Sequence, residues 1–245
     1  MYHERQSNRV ATLAVMAALA SLLMLAAAGP LYRMGLLGLA KAFGVLRWAA
    51  YGSVGALVLA ALAVIVAVRR RIGMPSAVTA IVAGFITLAV PFSWLRQASR
   101  VPRIHDITTD TDQPPQFIAV VPLRAGAANP VQYGGPATAA QQHQGYADIA
   151  PLSLTLAPHP AFDRALASAR KMGWEIVASD PDSGRIEATD TTYWFGFKDD
   201  IVIRITAAPG GSRVDVRSLS RVGLSDVGTN AARIRNYLSA LKSAS

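Results

Sequence analysis

The chain has 245 residues, 52% of them hydrophobic and 16% charged, with 24 Lys/Arg against 15 Asp/Glu and no cysteine. Its surplus of bases is confined to one part: residues 1–103 hold eleven Lys/Arg and a single acid, Glu4, whereas 104–245 hold thirteen bases and fourteen acids. That split argues against a nucleic-acid partner, which needs its basic charge on one exposed face of a folded domain, and the absence of cysteine leaves redox chemistry silent about the compartment.

Three uncharged stretches, about 10–29, 48–68 and 76–95, each supply the roughly 20 apolar residues that a helix needs to cross a bilayer. The first has Arg5 and Arg9 before it, like a signal peptide, but its apolar run is longer than a signal core and two more spans follow, so it reads as a retained anchor. Arg69, Arg70 and Arg71 form the densest basic cluster beside a span. Basic loops stay inside, so residues 1–9 are expected in the cytoplasm and the C-terminal part in the periplasm of a bacterial inner-membrane protein. Between the first two spans, Arg33, Lys41 and Arg47 share one side of a helical projection, which suggests an interfacial segment over 31–46. Gly52, Ala56 and Ala60, and Ala80 with Gly84, form small-residue ladders suited to close helix packing. No ionisable residue lies inside a span, which argues against transport.

Residues 96–150 read as a juxtamembrane segment and extended arm. Asp106, Asp110 and Asp112 have calcium-like spacing, yet Pro114 and Pro115 follow where further oxygen ligands and a Gly belong, so turn capping is the better reading and no metal is expected. Residues 117–123 (FIAVVPL) read as a short strand, and 124–150 as a loop without period.

From 151 to 245 the pattern is that of an α+β domain. Pro160 starts an amphipathic helix that Gly173 stops; 174–179 and 185–192 flank a DPDSG turn; 201–206 and 213–220 flank PGGS; and a last helix, 226–241, carries Val227, Ala231, Ile234, Leu238 and Leu241 on one face. The order predicts an antiparallel four-stranded sheet with helices packed on one face, following an α-helical transmembrane region.

No nucleophile elbow, phosphate loop, dinucleotide fingerprint or zinc-ligand spacing occurs, so no catalytic residue is assigned and no cofactor is expected. Ser220 and Ser225 have no His nearby in sequence to serve as a base. The run Tyr193, Trp194, Phe195, Phe197 reads first as core volume, with a ligand groove or bilayer contact as alternatives. Arg217, Arg221, Asp226, Asn230 and Arg233 gather near the start of the last helix, where an Asp cap with Arg partners and an anion-binding site are both open readings.

These same stretches carry a resemblance. HDITTD with Pro114, Pro115 and Phe117; Asn129, Pro130, Tyr133 and Gly135; Tyr146, Asp148 and Pro151; and the runs MGWEIVA, GRIEATDTT, WFGFKDD and SRVGLSDVGTNAARIR together resemble the bacterial family catalogued as domain of unknown function 1499, over about 104–243. Ala147 departs from the family's proline and bears on local loop shape alone. The resemblance implies a domain class, and no activity or catalytic residue comes with it. The expectation is therefore a membrane-anchored domain that contacts the lipid bilayer and binds an envelope protein or lipid, with a membrane-tethered hydrolase as the alternative.

Overall fold

The structure is a computed structural model that describes residues 8–243. Arg5, part of the expected cytoplasmic N-terminus, lies outside the described residues. The chain forms two compact units. One comprises the residues up to Arg96 together with Trp194–Gly196, and the other comprises Gln97–Tyr193 and the chain from Phe197 onward.

The first unit holds three helices long and apolar enough to cross a membrane: α1 (Arg9–Arg33), α2 (Leu39–Arg70) and α3 (Met74–Ala98). Asn8 starts α1 by accepting a hydrogen bond from the Ala11 N–H, and its amide donates to the Ala63 carbonyl 3.0 Å away, which ties the first helix to the second. The interfacial segment expected at 31–46 is not a separate element. Residues 31–33 complete α1, a turn with Gly35 at φ +74° reverses the chain, and the strong helix formers from Leu39 onward extend α2. At 1.5 Å per residue the 32 residues of α2 reach about 48 Å, well beyond a hydrocarbon core of about 30 Å. Its surplus turns carry Lys41 and Arg47 at one end and Arg69 and Arg70 at the other.

Small residues line the contacts between these helices. Ala14 and Ala18 of α1, Ala56 and Ala60 of α2, and Ala80 and Ala83 of α3 are buried together, while Leu19, Leu23, Val58, Leu62, Phe85 and Ile86 point outward. A Cβ at Gly52 would lie 2.5 Å from Ser21 Oγ, and Ser53 Oγ donates to the Gly84 carbonyl at 2.7 Å. Without a hydrophobic drive between helices in lipid, such close backbone approach is what gives their association specificity.

The second unit contains β1 (Asp106–Thr108), α4 (Gly135–Gly145), β2 (Leu152–Leu154), α5 (Pro158–Lys171), β3 (Glu175–Asp180), β4 (Arg185–Thr191), β5 (Lys198–Ala208), β6 (Gly211–Ser220) and α6 (Thr229–Ser243). Its antiparallel sheet has six strands rather than four, in the order β1-β6-β5-β4-β3, with β2 pairing β6 farther along the edge that β1 occupies. The added strands are three residues each, too short to show a period, and they satisfy backbone groups that an open β6 edge would leave unpaired.

Two further expectations differ. The strand expected at 117–123 is a set of turns ending in a 3-10 helix, Pro122–Arg124, because the N–H groups of Ile118 and Val120 donate to the Glu187 carboxylate instead of to a ladder. The loop expected at 124–150 contains α4. That helix has little amphipathic pattern, but its Gln142 is buried and exchanges hydrogen bonds with both the N–H and the carbonyl of Thr108, acting as a side-chain partner for β1.

Helices α5 and α6 cover one face of the sheet. Ile186, Ala188, Ile201, Ile203, Ile205, Val214 and Val216 meet Phe162, Ala165, Ala231, Ile234, Tyr237 and Leu241 there. Trp174 stacks on Tyr237 at 5.0 Å, and the Tyr237 hydroxyl donates to the Ala165 carbonyl. On the other face Phe117 and Val120 lie against Val202 and Leu219.

Trp194 and Phe195 are absent from both clusters, which corrects their expected place in the domain core. Pairing between β4 and β5 ends at Thr191 and Lys198, so the aromatic run is a loop beyond the sheet, where no strand alternation can direct it under the helices. Trp194–Gly196 belong instead to the helical unit. The Trp194 indole donates to the Ala26 carbonyl at 3.1 Å and lies 5.3 Å from Trp94, while Phe195 packs near Tyr32 and Phe43.

Candidate functional site

The face of the sheet opposite α5 and α6 carries the chemistry. Strands alternate sides with period two, and on β6 the alternation sends Arg213, Asp215, Arg217 and Leu219 to that face; Asp200, Val202 and Arg204 of β5 and Glu187 and Thr189 of β4 stand beside them. An open sheet face with such side chains would be solvated, but here the chain from 110 to 133 runs over it and the charges pair beneath.

Arg217 is fully buried. Its Nε and Nη2 donate to the two Asp106 oxygens at 2.9 and 2.8 Å, its remaining bonds reach the Pro115 and Val131 carbonyls, and the guanidinium lies 5.0 Å from the Phe117 ring and 5.5 Å from the Tyr133 ring. Burial first, and then the Asp106 charge, push the Tyr133 phenol up to about 12, against the opposing effect of Arg217. The Tyr133 hydroxyl is buried without a hydrogen-bond partner.

Asp200 is the second centre. Arg221 reaches its two oxygens at 2.9 and 2.8 Å, the Thr189 hydroxyl donates at 2.7 Å, and Arg124 pairs with it from the 3-10 segment. Arg124 also donates to the Asn129 carbonyl, and the Asn129 amide donates to the Ser220 and Gly223 carbonyls. A third group joins Asp110 and Asp215 to Arg204 and Arg213 at 2.8 to 3.0 Å. Asp110 also accepts the N–H groups of Asp112 and Gln113. Its burial raises the pKa, but the Gln113 N–H and the two arginines outweigh that and hold the carboxyl below its usual value. Asp106, Asp110 and Asp112 thus go separate ways: one to Arg217, one to a turn and two arginines, and one to the exposed surface. Among the described residues no group of acids and histidines is arranged to hold a metal ion.

On the helix side, Asn230 and Arg233 form a separate cluster. Ser218 Oγ donates to Asn230 Oδ1, the Asn230 side-chain amide donates to Ser220 Oγ and the His105 carbonyl, and Arg233 bridges Asp190 and Asp199 at 2.8 and 2.7 Å. Asp226 accepts the N–H groups of Gly228 and Asn230 at 2.9 and 2.7 Å, at the start of α6. Burial raises its pKa more than these bonds lower it. For a carboxyl with a raised folded pKa, the folded state binds the proton more readily, so its ionisation opposes folding: stability falls as pH rises from 3.8 through the folded value and levels off above it. The cap bonds and the burial of the charge therefore act in opposite directions at neutral pH.

The structure brings Asp106 to Arg217, and Asn230, Arg233 and Asp226 to one helix start. It places Arg221 on Asp200 and takes Trp194 into the other unit. Sequence reasoning missed Arg124, Glu187, Asp199, Asp200 and Gln142. For Glu187, Asp199 and Asp200 the available signal was charge within strongly apolar strands, where each charge needs a buried partner; Arg124 and Gln142 lie off the strands and carried no such signal. Ser220 Oγ is held by an amide, and the His105 Nδ1 atom is buried without a hydrogen-bond partner, so nucleophile and base are not engaged with one another here.

The sequence profile of one family covers residues 106–241, from the carboxylate that holds Arg217 to the last buried leucine of α6, and no curated protein matches the chain. With more than half of its length matched, including the sheet, its ion pairs and the two helices that cover it, the chain belongs to the family described as Protein of unknown function (DUF1499).

Proposed function

We propose that this is a bacterial inner-membrane protein whose α+β domain lies on the periplasmic side and binds an envelope partner, protein or lipid, without catalysing a reaction. One observation carries the reading: Arg217, Arg221 and Arg233 are engaged with Asp106, Asp200 and Asp199, and Arg217 and Arg221 also with backbone carbonyls, pinning residues 110–133 and the 221–230 segment onto the sheet. Groups used in this way shape a surface and are not poised to transfer protons. The alternative, a tethered hydrolase, needs a base at the serine, and Ser220 is held by Asn230 instead. The periplasmic placement rests on the density of basic charge at Arg69, Arg70 and Arg71.

Photo-crosslinking of the full chain in native membranes, with the reactive group placed in turn on exposed positions of the domain, tests the reading. Discrete adducts confined to one patch are expected. A hydrolytic activity of the purified chain that Ser220→Ala abolishes would replace binding with catalysis.

A further inference from the structure

We infer that the end of the domain's sheet at which the chain arrives from the third helix is a lipid-contact surface, in which Leu123, Tyr193 and Leu224 enter the headgroup region and Arg100, Arg103 and Lys198 meet anionic headgroups. This deepens the binding reading above and rests on it.

Strand register puts these residues at one end. Strand β1 begins where β6 finishes: Asp106 pairs with Leu219, and the Ser220 N–H donates to the His105 carbonyl. The loop from β4 to β5 opens at the same level, since Thr191 pairs with Lys198, and the Arg221 N–H donates to the Lys198 carbonyl. Arg221 in turn holds the Leu123 carbonyl at 2.8 Å, and the Asp226 N–H donates to the Ile104 carbonyl. Leu123, Tyr193 and Leu224 are 52%, 93% and 72% exposed there, three large apolar or aromatic side chains open at one end of the sheet. Exposed Arg100, Arg103 and Lys198 accompany them.

Chain connectivity selects lipid as the occupant. Helix α3 ends at Ala98, and a fully extended chain rises at most about 3.6 Å per residue, so Ile104 lies within about 22 Å of that helix end. Tyr193 is one peptide bond from Trp194, which clusters with Trp94 of α3. Tyrosine and tryptophan favour the membrane–water boundary, apolar tips insert at the level of the acyl chains, and neighbouring bases add attraction to anionic lipid. The opposite end of the sheet holds the β5–β6 turn, ten residues of β6 or about 33 Å away, and the β3–β4 turn, seven residues of β4 or about 23 Å away.

Because the chain has no cysteine, single substitutions can report position. Leu123→Cys, Tyr193→Cys and Leu224→Cys, with Asp182→Cys in the distal turn as reference, carry an environment-sensitive fluorophore on the full chain in nanodiscs of phosphatidylcholine with a minority of phosphatidylglycerol. All four sites are exposed, so the fold is retained. At the three near-end sites, aqueous iodide is expected to quench at least about threefold less than at position 182, and brominated lipid to quench only there. Equal iodide quenching at all four positions overturns the inference. Protection in native membrane vesicles that is absent in the lipid discs also overturns it, while leaving the binding reading intact with a protein as the occupant. If joint replacement of Arg100, Arg103 and Lys198 by Gln lowers protection in these discs but not in pure phosphatidylcholine, anionic headgroups are the recognised chemistry; no change removes that part of the inference.

Discussion

Arg217 is a cation without water around it, and everything near it follows from that. Its five N–H donors must be met inside the protein, and Asp106, two backbone carbonyls and two aromatic faces meet them. Replacing such a pair as a whole can be nearly neutral, whereas removing one partner leaves a buried charge uncompensated. Arg217→Leu or Asp106→Asn should therefore destabilise the domain by about 3–5 kcal/mol, read by pulse proteolysis of the full chain in detergent. The outer pair between Arg235 and Asp148 has the same chemistry and much more water, with side chains 42% and 59% exposed. Arg235→Gln should change stability by no more than about 1 kcal/mol in the same assay. Equal losses in both variants would mean that burial does not govern these ion pairs, and the account of the sheet face would fail with it.

Among the elements, the loop from β4 to β5 departs most from what its composition suggests. Its aromatic residues have the volume of core, but they lie beyond the last paired residues of two strands, and the tip Trp194–Gly196 packs among helices. The fit depends on Gly29 of α1: a Cβ there would lie 2.6 Å from Trp194 Cδ1 and 2.7 Å from the Trp194 carbonyl oxygen. Gly196, at φ +69°, serves the same approach from the other side, where a Cβ would meet the Arg33 side chain at 2.8 Å. Gly29→Val should displace the indole from the Ala26 carbonyl and cost about 1–3 kcal/mol through overpacking. In a full chain whose other tryptophans, Trp48, Trp94 and Trp174, are replaced by Phe, the displacement appears as a red shift and stronger iodide quenching of Trp194. An unchanged spectrum would mean that the close approach at Gly29 does not hold the tip.

Taken together, the chain puts its basic charge around apolar helices and its paired charge inside a sheet domain. The first is a matter of orientation and the second of shape. If the loop at Arg69, Arg70 and Arg71 stays in the cytoplasm, three crossings carry the domain to the opposite side. A C-terminal alkaline phosphatase fusion is then expected to be active and a fluorescent-protein fusion dark; the reverse pair would place the domain in the cytoplasm and remove the periplasmic part of the proposal.

How much of this was legible follows from which forces are local. The three spans, the helix stopped by Gly173, both hairpins and the last helix were readable because bilayer thickness, helical period, strand alternation and turn chemistry each act over a few neighbouring residues. Strands β1 and β2 were not, since three residues show no period and exist as strands only because the edge of β6 is there to pair with. The turns at 118–124 hid for the same reason: two N–H groups find Glu187, a residue nearly seventy positions away in the chain. Of the singled-out polar residues, the sequence contained every one and paired none across the sheet. Partner choice for a buried charge is a long-range decision, made when the face of β6 is covered and Arg217 and Arg221 meet the carboxylates of Asp106 and Asp200.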